Sequence, residues 1–129
     1  MEKLCLDSNV LIQILRDDAE IMARLEEMRK GHVFVTTTYN SFELYCGAFL
    51  KKAVRENERI ESMLSKMEVF ELNKNASKLA AKISAEQISR GRQSSPGDAI
   101  IAGICLENNC KLFTLNKKHF EKIPGLELA

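Results

Sequence analysis

Short apolar runs alternate with longer segments of helical spacing along this chain. Residues 4–6 form an apolar run without a polar break, as expected for a strand that is buried on both faces. Residues 33–35 have the same character and predict a second buried strand, and residues 110–115 predict a further strand. Residues 68–72 alternate only in part, which predicts a strand at or near a sheet edge, and residues 126–128 predict a short edge strand. The pattern therefore predicts five strands.

The segments between these strands carry apolar residues at intervals of three and four, which is the spacing of amphipathic helices. Asp17 and Glu20 form a capping-box pattern before the second of these segments. Residues 99–106 are apolar on every side, which predicts a helix buried deep in the protein. Strands that alternate with helices favour an α/β fold in which a parallel sheet has helices on both faces. No linker or repeat interrupts the pattern, so we expect one domain spanning residues 1–129.

Composition and charge narrow the classes of protein that fit this pattern. The 129 residues are 45% apolar and 29% charged, which is typical of one folded domain with a normal core. The formal net charge is +1, so nucleic acid would have to bind through local basic patches. No apolar run reaches transmembrane length, and the N-terminus lacks the pattern of a signal peptide. The four cysteines form no Cys-x-x-Cys pair, which favours reduced core thiols and a cytoplasmic location.

Two polar residues follow the ends of predicted strands. Asp7 comes directly after the first strand and precedes the helix-start residues Ser8 and Asn9, while Asn116 follows the fourth strand. Each has an ordinary structural explanation, Asp7 as a helix cap and Asn116 as a turn residue. In open parallel sheets, however, ligands bind at the carboxyl ends of the strands. Both residues therefore also occupy places that are suited to a functional site.

Two further carboxylates lie on predicted helices. Glu43 shares a helix face with apolar and small residues, so it is either an exposed edge residue or a carboxylate with a partner in a site. Asp98 completes a helix start in which Ser95 is the N-cap and Pro96 is the first helical residue. This role explains Asp98 without any function. It also fixes Asp98 on the first turn of the most buried helix, where a rigid ligand would be useful.

The predicted topology brings these four polar residues to one edge of the sheet, because two of them end strands there and two lie on helices that begin there. They are Asp7, Glu43, Asp98 and Asn116. Oxygen ligands of this kind suit magnesium or manganese, whereas His32 and His119 lack the spacing of zinc ligands. No serine or cysteine nucleophile has a nearby histidine signal, and the chain has no glycine-rich phosphate loop.

Five motifs in their order along the chain resemble the PIN domain. They are LDSNVLI, SFEL, SSPGDAIIAG, FTLNKKHF and IPGL. Within that family the chain is most similar to the VapC toxins of prokaryotic toxin–antitoxin pairs, and the resemblance covers essentially its whole length. The resemblance implies a three-layer α/β fold with a parallel five-stranded sheet and helices on both faces. It also implies an endoribonuclease that depends on magnesium or manganese.

The resemblance assigns roles to individual residues. The acidic positions of the family fall on Asp7, Glu43 and Asp98. Its fourth position, which is often Asp and also often Asn, falls on Asn116, and Ser8 and Thr114 match polar residues that accompany the cluster and are expected to bind substrate. Asp7 and Asp98 are expected to bind the metal ion directly. Glu43 is expected to bind it through water or to orient the attacking water, because phosphodiester hydrolysis needs an activated water and charge neutralisation at phosphorus.

The resemblance also implies partners, namely an RNA substrate, a small antitoxin protein and a second copy of the chain in a homodimer. No membrane partner is expected. The apolar residues expected to form a partner surface are Phe49, Leu50, Ile60, Met63, Leu64 and Met67. The basic residues that could contact the RNA backbone are Lys51, Lys52, Arg55, Arg90, Arg92, Lys117 and Lys118. For most of these basic residues the sequence favours an ordinary solvated surface.

Two other classes of protein compete with this interpretation. One is a catalytically weak or inactive PIN-like module that binds RNA or regulates another protein. The cluster of three carboxylates argues against it, because idle carboxylates gathered in one place repel. The other is a phosphoaspartate enzyme with Asp7 as its nucleophile. A haloacid-dehalogenase pattern would have a second Asp where this chain has Asn9, and the paired acids of a receiver domain are absent.

Overall fold

The computed structural model describes residues 1–93 and 95–129, so Ser94, in the predicted loop before Pro96, lies outside the described residues. The strands are β1 (Glu2–Leu6), β2 (His32–Thr37), β3 (Glu68–Phe70) and β4 (Cys110–Phe113). The helices are α1 (Ser8–Leu15), α2 (Ala19–Met28), α3 (Thr38–Leu50), α4 (Val54–Leu64), α5 (Lys74–Ser89) and α6 (Pro96–Glu107). A 3-10 turn spans Lys117–His119.

The sheet is parallel throughout and has the strand order β3-β2-β1-β4. The short strand β3 lies at one edge, which confirms the edge position predicted from its partial alternation. Within the described part of the chain the sheet has four strands, so the predicted fifth strand is wrong. Leu128 forms only an isolated parallel bridge with Leu112, because the final segment bonds to that one residue through Glu127 and Ala129.

The central strand β1 is buried on both faces, as the unbroken apolar run predicts. Leu4 and Leu6 face a core shared with α1, α2, α3 and α4, whereas Cys5 faces a second core shared with α5 and α6. Side chains along a strand alternate between faces, so adjacent apolar residues serve opposite cores. The result is the three-layer α/β architecture expected from the sequence.

Helix α6 is held against α5 by a close approach of their backbones. A methyl group at Gly103 would lie 2.6 Å from the carbonyl oxygen of Ala76 and 2.9 Å from Cβ of Ala80, which is too close for any side chain. Most of α6 is buried, which confirms the deep helix predicted from its apolar sequence. This packing fixes the first turn of α6 at the carboxyl edge of the sheet.

Two local predictions are corrected by the structure. Asp18, not Asp17, caps α2, and it accepts a hydrogen bond from the backbone nitrogen of Ile21 at 2.9 Å. Asp17 has a φ of 55°, a conformation that aspartate tolerates better than most residues, and it belongs to the turn after α1.

The predicted apolar partner surface is also only partly exposed. Ile60 is fully buried, and the remaining members of its stripe, Met63, Leu64 and Met67, pack against the core that α4 helps to cover. Phe49 and Leu50 remain 68% and 80% exposed, and Phe42 on the same helix is exposed as well. Among the described residues, no helix is both long enough and apolar enough to cross a membrane.

Candidate active site

Asp7 lies where β1 ends and α1 begins, and it is 7% exposed. Its Oδ1 accepts hydrogen bonds from the backbone nitrogen of Ser8 at 2.8 Å and from Nδ2 of Asn40 at 3.0 Å. Its Oδ2 accepts one from the Thr114 hydroxyl at 2.7 Å. A carboxylate offers about four lone-pair directions, so one direction on Oδ2 stays available for a ligand. Asp7 therefore caps the helix and also keeps an acceptor for a ligand in the acidic cleft, which is the site at the carboxyl edge of the sheet that Asp7 shares with Glu43 and Asp98.

Asn40 holds this carboxylate in place, a role that no sequence motif predicted. It is fully buried on the first turn of α3, and its Oδ1 accepts a hydrogen bond from the Thr37 hydroxyl at 2.7 Å. Its amide nitrogen donates both to Asp7 and, at 2.9 Å, to the Ser8 hydroxyl. The signal that could have found it is the polar run that starts with threonines at the carboxyl end of β2.

Glu43 lies one turn further along α3, at the exposed rim of the same cleft. The Ser8 hydroxyl donates a hydrogen bond of 2.6 Å to its Oε1. Burial raises the pKa of Glu43, the Ser8 hydrogen bond opposes that rise, and the charges of Asp7 and Asp98 raise the pKa further. The three carboxylates therefore share one electrostatic environment.

Asp98 lies on the first turn of α6, at the helix start predicted from the sequence. The Ser95 hydroxyl accepts a long hydrogen bond of 3.5 Å from its backbone nitrogen, and Pro96 is the first helical residue. The Asp98 side chain is 25% exposed, and its Oδ2 lies 3.2 Å from Nδ1 of His119. Burial raises its pKa, the nearby His119 lowers it, and the charge of Asp7 raises it again. His119 was weighed from the sequence only as a zinc ligand, and this contact with Asp98 was not predicted.

Tyr39 closes the side of the cleft between Glu43 and Asp98. Its hydroxyl end packs against Gly97, where a side chain would collide with the ring. Burial raises the pKa of Tyr39, and the negative charges of Glu43 and Asp98 raise it further. The phenol is therefore a neutral group within electrostatic range of Glu43 and Asp98.

Thr114 and Asn116 complete the site on the side of β4. Thr114 is buried, and its hydroxyl donates to Asp7 while accepting from the backbone nitrogen of Asn116 at 3.1 Å and from Nδ2 of Asn9 at 3.3 Å. Asn116 is exposed, and its side chain makes no capping hydrogen bond to the turn that follows. Hydrogen bonds thus join Asp7, Ser8, Glu43, Thr114 and the backbone of Asn116 into one network at the carboxyl edge of the sheet. Asp98 is close enough to interact electrostatically with Asp7 and Glu43.

The donors that face this cleft are carboxylate, hydroxyl and amide oxygens, which suit a hard divalent cation. Within residues 1–93 and 95–129, no group of three or more histidine, cysteine, aspartate or glutamate side chains is close enough to hold one metal ion. An ion bound in this arrangement would therefore contact no more than two of the three carboxylates directly.

The sequence model of the PIN domain matches residues 4–126, so the chain belongs to the PIN domain family. The tRNA(fMet)-specific endonuclease VapC of Salmonella typhimurium is 26% identical over 129 residues, covering 99% of this chain and 97% of that protein. Ribonuclease VapC2 of Rickettsia felis is 23% identical over 125 residues, covering 95% and 93% of the two chains.

Solved structures agree with this family assignment at the level of the fold. VapBC2 from Rickettsia felis, bound to a DNA fragment from its promoter, superimposes with a TM-score of 0.88 at 22% identity and covers 98% of this chain and 97% of that one. DNA-bound VapBC from Salmonella typhimurium gives a TM-score of 0.84 at 26% identity, with coverages of 100% and 98%. The α/β fold with a parallel sheet is therefore that of PIN domain structures.

Proposed function

We propose that this chain is a metal-dependent endoribonuclease and acts as the VapC-type toxin of a type II toxin–antitoxin pair. The observation that carries the proposal is the arrangement of Asp7, Glu43 and Asp98 at the carboxyl edge of a PIN fold. Ser8 hydrogen-bonds to both Asp7 and Glu43, and the charge of Asp7 raises the pKa of Glu43 and of Asp98. The curated relatives are named as endonucleases, and they match this chain over nearly its whole length. Because RNA is the proposed substrate, we place the protein in the cytoplasm.

Each residue of the cleft would have a separate role in phosphodiester hydrolysis. Asp7 and Asp98 would bind a magnesium or manganese ion directly, and such an ion activates water and neutralises charge on the scissile phosphate. Glu43, at the rim, would orient the attacking water or bind the ion through water. Asn116 offers a neutral amide to a phosphate oxygen or to a metal-bound water, and its exposure leaves it accessible to both.

The surroundings of Ser8 and Thr114 favour a positioning role for both residues over the substrate contact expected from the resemblance. The Ser8 hydroxyl donates to Glu43 and accepts from Asn40, and the Thr114 hydroxyl is occupied by Asp7, Asn9 and the Asn116 backbone. Hydroxyls with their hydrogen-bonding capacity in use hold carboxylates in place. In the proposed enzyme they therefore set the geometry of Asp7 and Glu43.

The alternative is a PIN-like module that binds RNA without cutting it. The buried network around Asp7 argues against this alternative, because it orients a carboxylate whose remaining acceptor faces the cleft. A binding surface for the RNA backbone would gain nothing from concentrated negative charge. In a metal-dependent nuclease, by contrast, the same negative charge would bind the catalytic cation.

The experiment is an RNA cleavage assay with purified wild type, Asp7→Asn and Asp98→Asn in the presence of Mg²⁺ or Mn²⁺. Each variant removes one charge and keeps the shape of the side chain, so we expect cleavage to fall by about a hundredfold or more while the circular dichroism spectrum is retained. Asp17→Asn is the matched control, since Asp17 is highly exposed and lies at the opposite edge of the sheet. Full activity in either site variant would show that the assignment is wrong.

The same proposal includes a protein partner. Solved relatives are VapBC complexes, and this chain exposes an apolar groove of about 950 Å³ along α3 that could receive an antitoxin segment. Phe42, Phe49 and Leu50 line it. We expect Phe49→Glu to stop co-purification with the product of an adjacent antitoxin gene, whereas Val54→Glu, also exposed but outside the groove, should not. Light scattering would test the homodimer, and a monomer at high concentration would contradict it.

A further inference from the structure

We propose that a groove beside Asp98 seats one unpaired nucleotide of the RNA, next to the scissile phosphate. This inference rests on the proposed function and adds the location of a substrate subsite. The groove lies between the end of α5 and the 3-10 turn and has a volume of about 620 Å³, which is within the usual range of ligand pockets of about 300–1,000 Å³. Asp98 and His119 form its end at the acidic cleft.

The walls of the groove carry a local concentration of positive charge. Arg92, Lys118 and Lys122 line it, and none of them forms an ion pair with another residue in the described ranges 1–93 and 95–129. Glu121 and Asp98 also line the groove and offset part of this charge. On a chain whose net charge is only +1, three unpaired cations around one cavity are a phosphate-binding feature.

The floor of the groove is apolar, and the side-chain amide of Gln87 lies beside it. Ile83, Ala99 and Ile123 form the floor, and Gln87, which is half-buried on the last turns of α5, lies next to them. Apolar surface accepts the flat face of a base, and a glutamine amide can donate to and accept from the edge of that base. The combination therefore fits a nucleoside better than it fits a bare phosphate.

The position of the groove determines which part of the RNA it would hold. Asp98 belongs both to the groove and to the acidic cluster, so a nucleotide seated in the groove is adjacent to the phosphate at the proposed metal site. A base that enters a pocket of this kind cannot remain paired in a duplex. The geometry therefore favours single-stranded loops or unpaired ends over helical RNA.

Binding of a short fluorescein-labelled single-stranded RNA, measured by anisotropy in the Asp7→Asn background, tests the phosphate contacts. We expect Lys118→Gln/Lys122→Gln to weaken binding by about tenfold or more and to reduce the slope of log affinity against log salt by about 0.7 for each lost contact. The control is Arg16→Gln/Lys66→Gln, which removes the same charge from exposed positions outside the groove. Equal weakening by both double variants would overturn the groove as the site.

Affinities for the four homopolymer RNAs, in the same background, test the seat for the base. Wild-type Gln87 should give a ranking among the bases, and Gln87→Leu should flatten that ranking with little change in the salt slope. An unchanged ranking would overturn the base seat. Loss of antitoxin binding without loss of RNA binding in the Lys118→Gln/Lys122→Gln variant would show that the groove holds a protein segment. Neither readout uses cleavage, so absence of ribonuclease activity would refute the proposed function separately.

Discussion

The phenol ring of Tyr39 occupies the space in which any residue other than glycine at position 97 would carry its side chain. A methyl group at Gly97 would lie 2.7 Å from Cζ of the tyrosine ring. The contact joins the first turn of α3 to the first turn of α6, which are the helices that carry Glu43 and Asp98. Tyr39 therefore packs between the starts of the two helices that carry two of the three carboxylates.

We predict that Gly97→Ala lowers ribonuclease activity under conditions in which the variant is still folded. The added methyl must displace the ring, and overpacking of this kind costs about 1–3 kcal/mol of the free energy of unfolding. Displacement would also change the environment of Glu43 and Asp98. The measurements are cleavage rate and urea denaturation on the same preparation.

Tyr39→Ala in the Gly97→Ala background should recover stability, because it removes the colliding ring, but should not recover activity. The control is Gly47→Ala, since Gly47 is inside α3 and a methyl there meets nothing within 4 Å. Alanine is the better helix former, so this control should gain about 0.5–1 kcal/mol. Wild-type activity in Gly97→Ala would contradict a role for the Tyr39 contact in the site.

A second prediction concerns the buried amide of Asn40. Asn40→Ala removes the donor shared by Asp7 and Ser8 and leaves the buried Thr37 hydroxyl without its acceptor. We expect a loss of about 1–3 kcal/mol of unfolding free energy and weaker binding of Mn²⁺, because Asp7 would no longer be held in one orientation. Denaturation and calorimetry measure the two effects.

The matched control for that prediction is Asn75→Ala. Asn75 also donates its amide to a carboxylate, Glu107, at 3.2 Å, but the bond is exposed to solvent. Its loss should change stability by no more than about 0.5 kcal/mol and should leave Mn²⁺ binding unaltered. If both variants behave alike, burial of the Asn40 network is not what orders the site.

The carboxylates of this cleft could be predicted from the sequence, whereas the residues that hold them could not. Asp7 and Asp98 are adjacent to strong strand and helix signals, so the parallel topology alone places them at one edge. Asn40 and Tyr39 occur within the first turn of α3, where the local pattern shows only the start of an amphipathic helix. Their contacts reach residues 33 and 58 positions away, and no local periodicity reports such distances.

The predicted fifth strand illustrates a different limitation. The local pattern correctly indicates an extended segment, but it does not tell how many residues of that segment pair with the sheet. Residues 126–128 are extended enough to bridge Leu112, yet only one residue of β4 takes part in the pairing. Likewise, the stripe on α4 was correctly identified as apolar, but which partner it faces depends on packing against the core. Pattern predicts the character of a surface, and tertiary contact determines its exposure.

The third prediction is a dependence of stability on pH in the metal-free protein. The pKa values of Glu43 and Asp98 are raised above 4.5 and 3.8 respectively, so the folded state binds these protons more tightly than the unfolded state does. Their contribution is therefore fully present at low pH and is lost as pH rises through the raised pKa values. We therefore expect the melting temperature of Glu43→Gln/Asp98→Asn to increase relative to that of wild type as the pH rises through the raised pKa values.

Addition of Mg²⁺ tests whether the ionised carboxylates of the cluster cause the pH dependence of stability. A cation at the cluster stabilises the ionised carboxylates, so it should remove most of the difference in slope between wild type and the double variant. Metal-free melting curves for both proteins across the acidic range, repeated with Mg²⁺, make the comparison. Parallel curves for the two metal-free proteins would show that burial of these carboxylates has no energetic consequence.

The last prediction concerns the number of metal ions. Three carboxylates give the cluster a charge of −3 when ionised, and the fourth position is the neutral amide of Asn116. Two unit charges 4 Å apart repel by about 4 kcal/mol at an effective dielectric of about 20. The repulsion between two divalent ions is four times larger, because the energy scales with the product of the charges. A cluster with this charge offsets one divalent ion well and a second poorly. We therefore expect one ion in the RNA-free protein, and any second ion would enter with the RNA phosphate.

Asn116→Asp should then raise affinity for a second ion, with activity kept or increased. Asn116 is exposed, and its backbone is tied through Thr114 to Asp7, so a carboxylate at this position would face the same cleft without being forced into the core. Asn116→Ala should lower activity less than Asp7→Asn does, because it removes no charge. Calorimetry with Mn²⁺ on wild type and both variants decides the matter. Two tight sites in RNA-free wild type would refute the charge argument, as would an unchanged stoichiometry in Asn116→Asp.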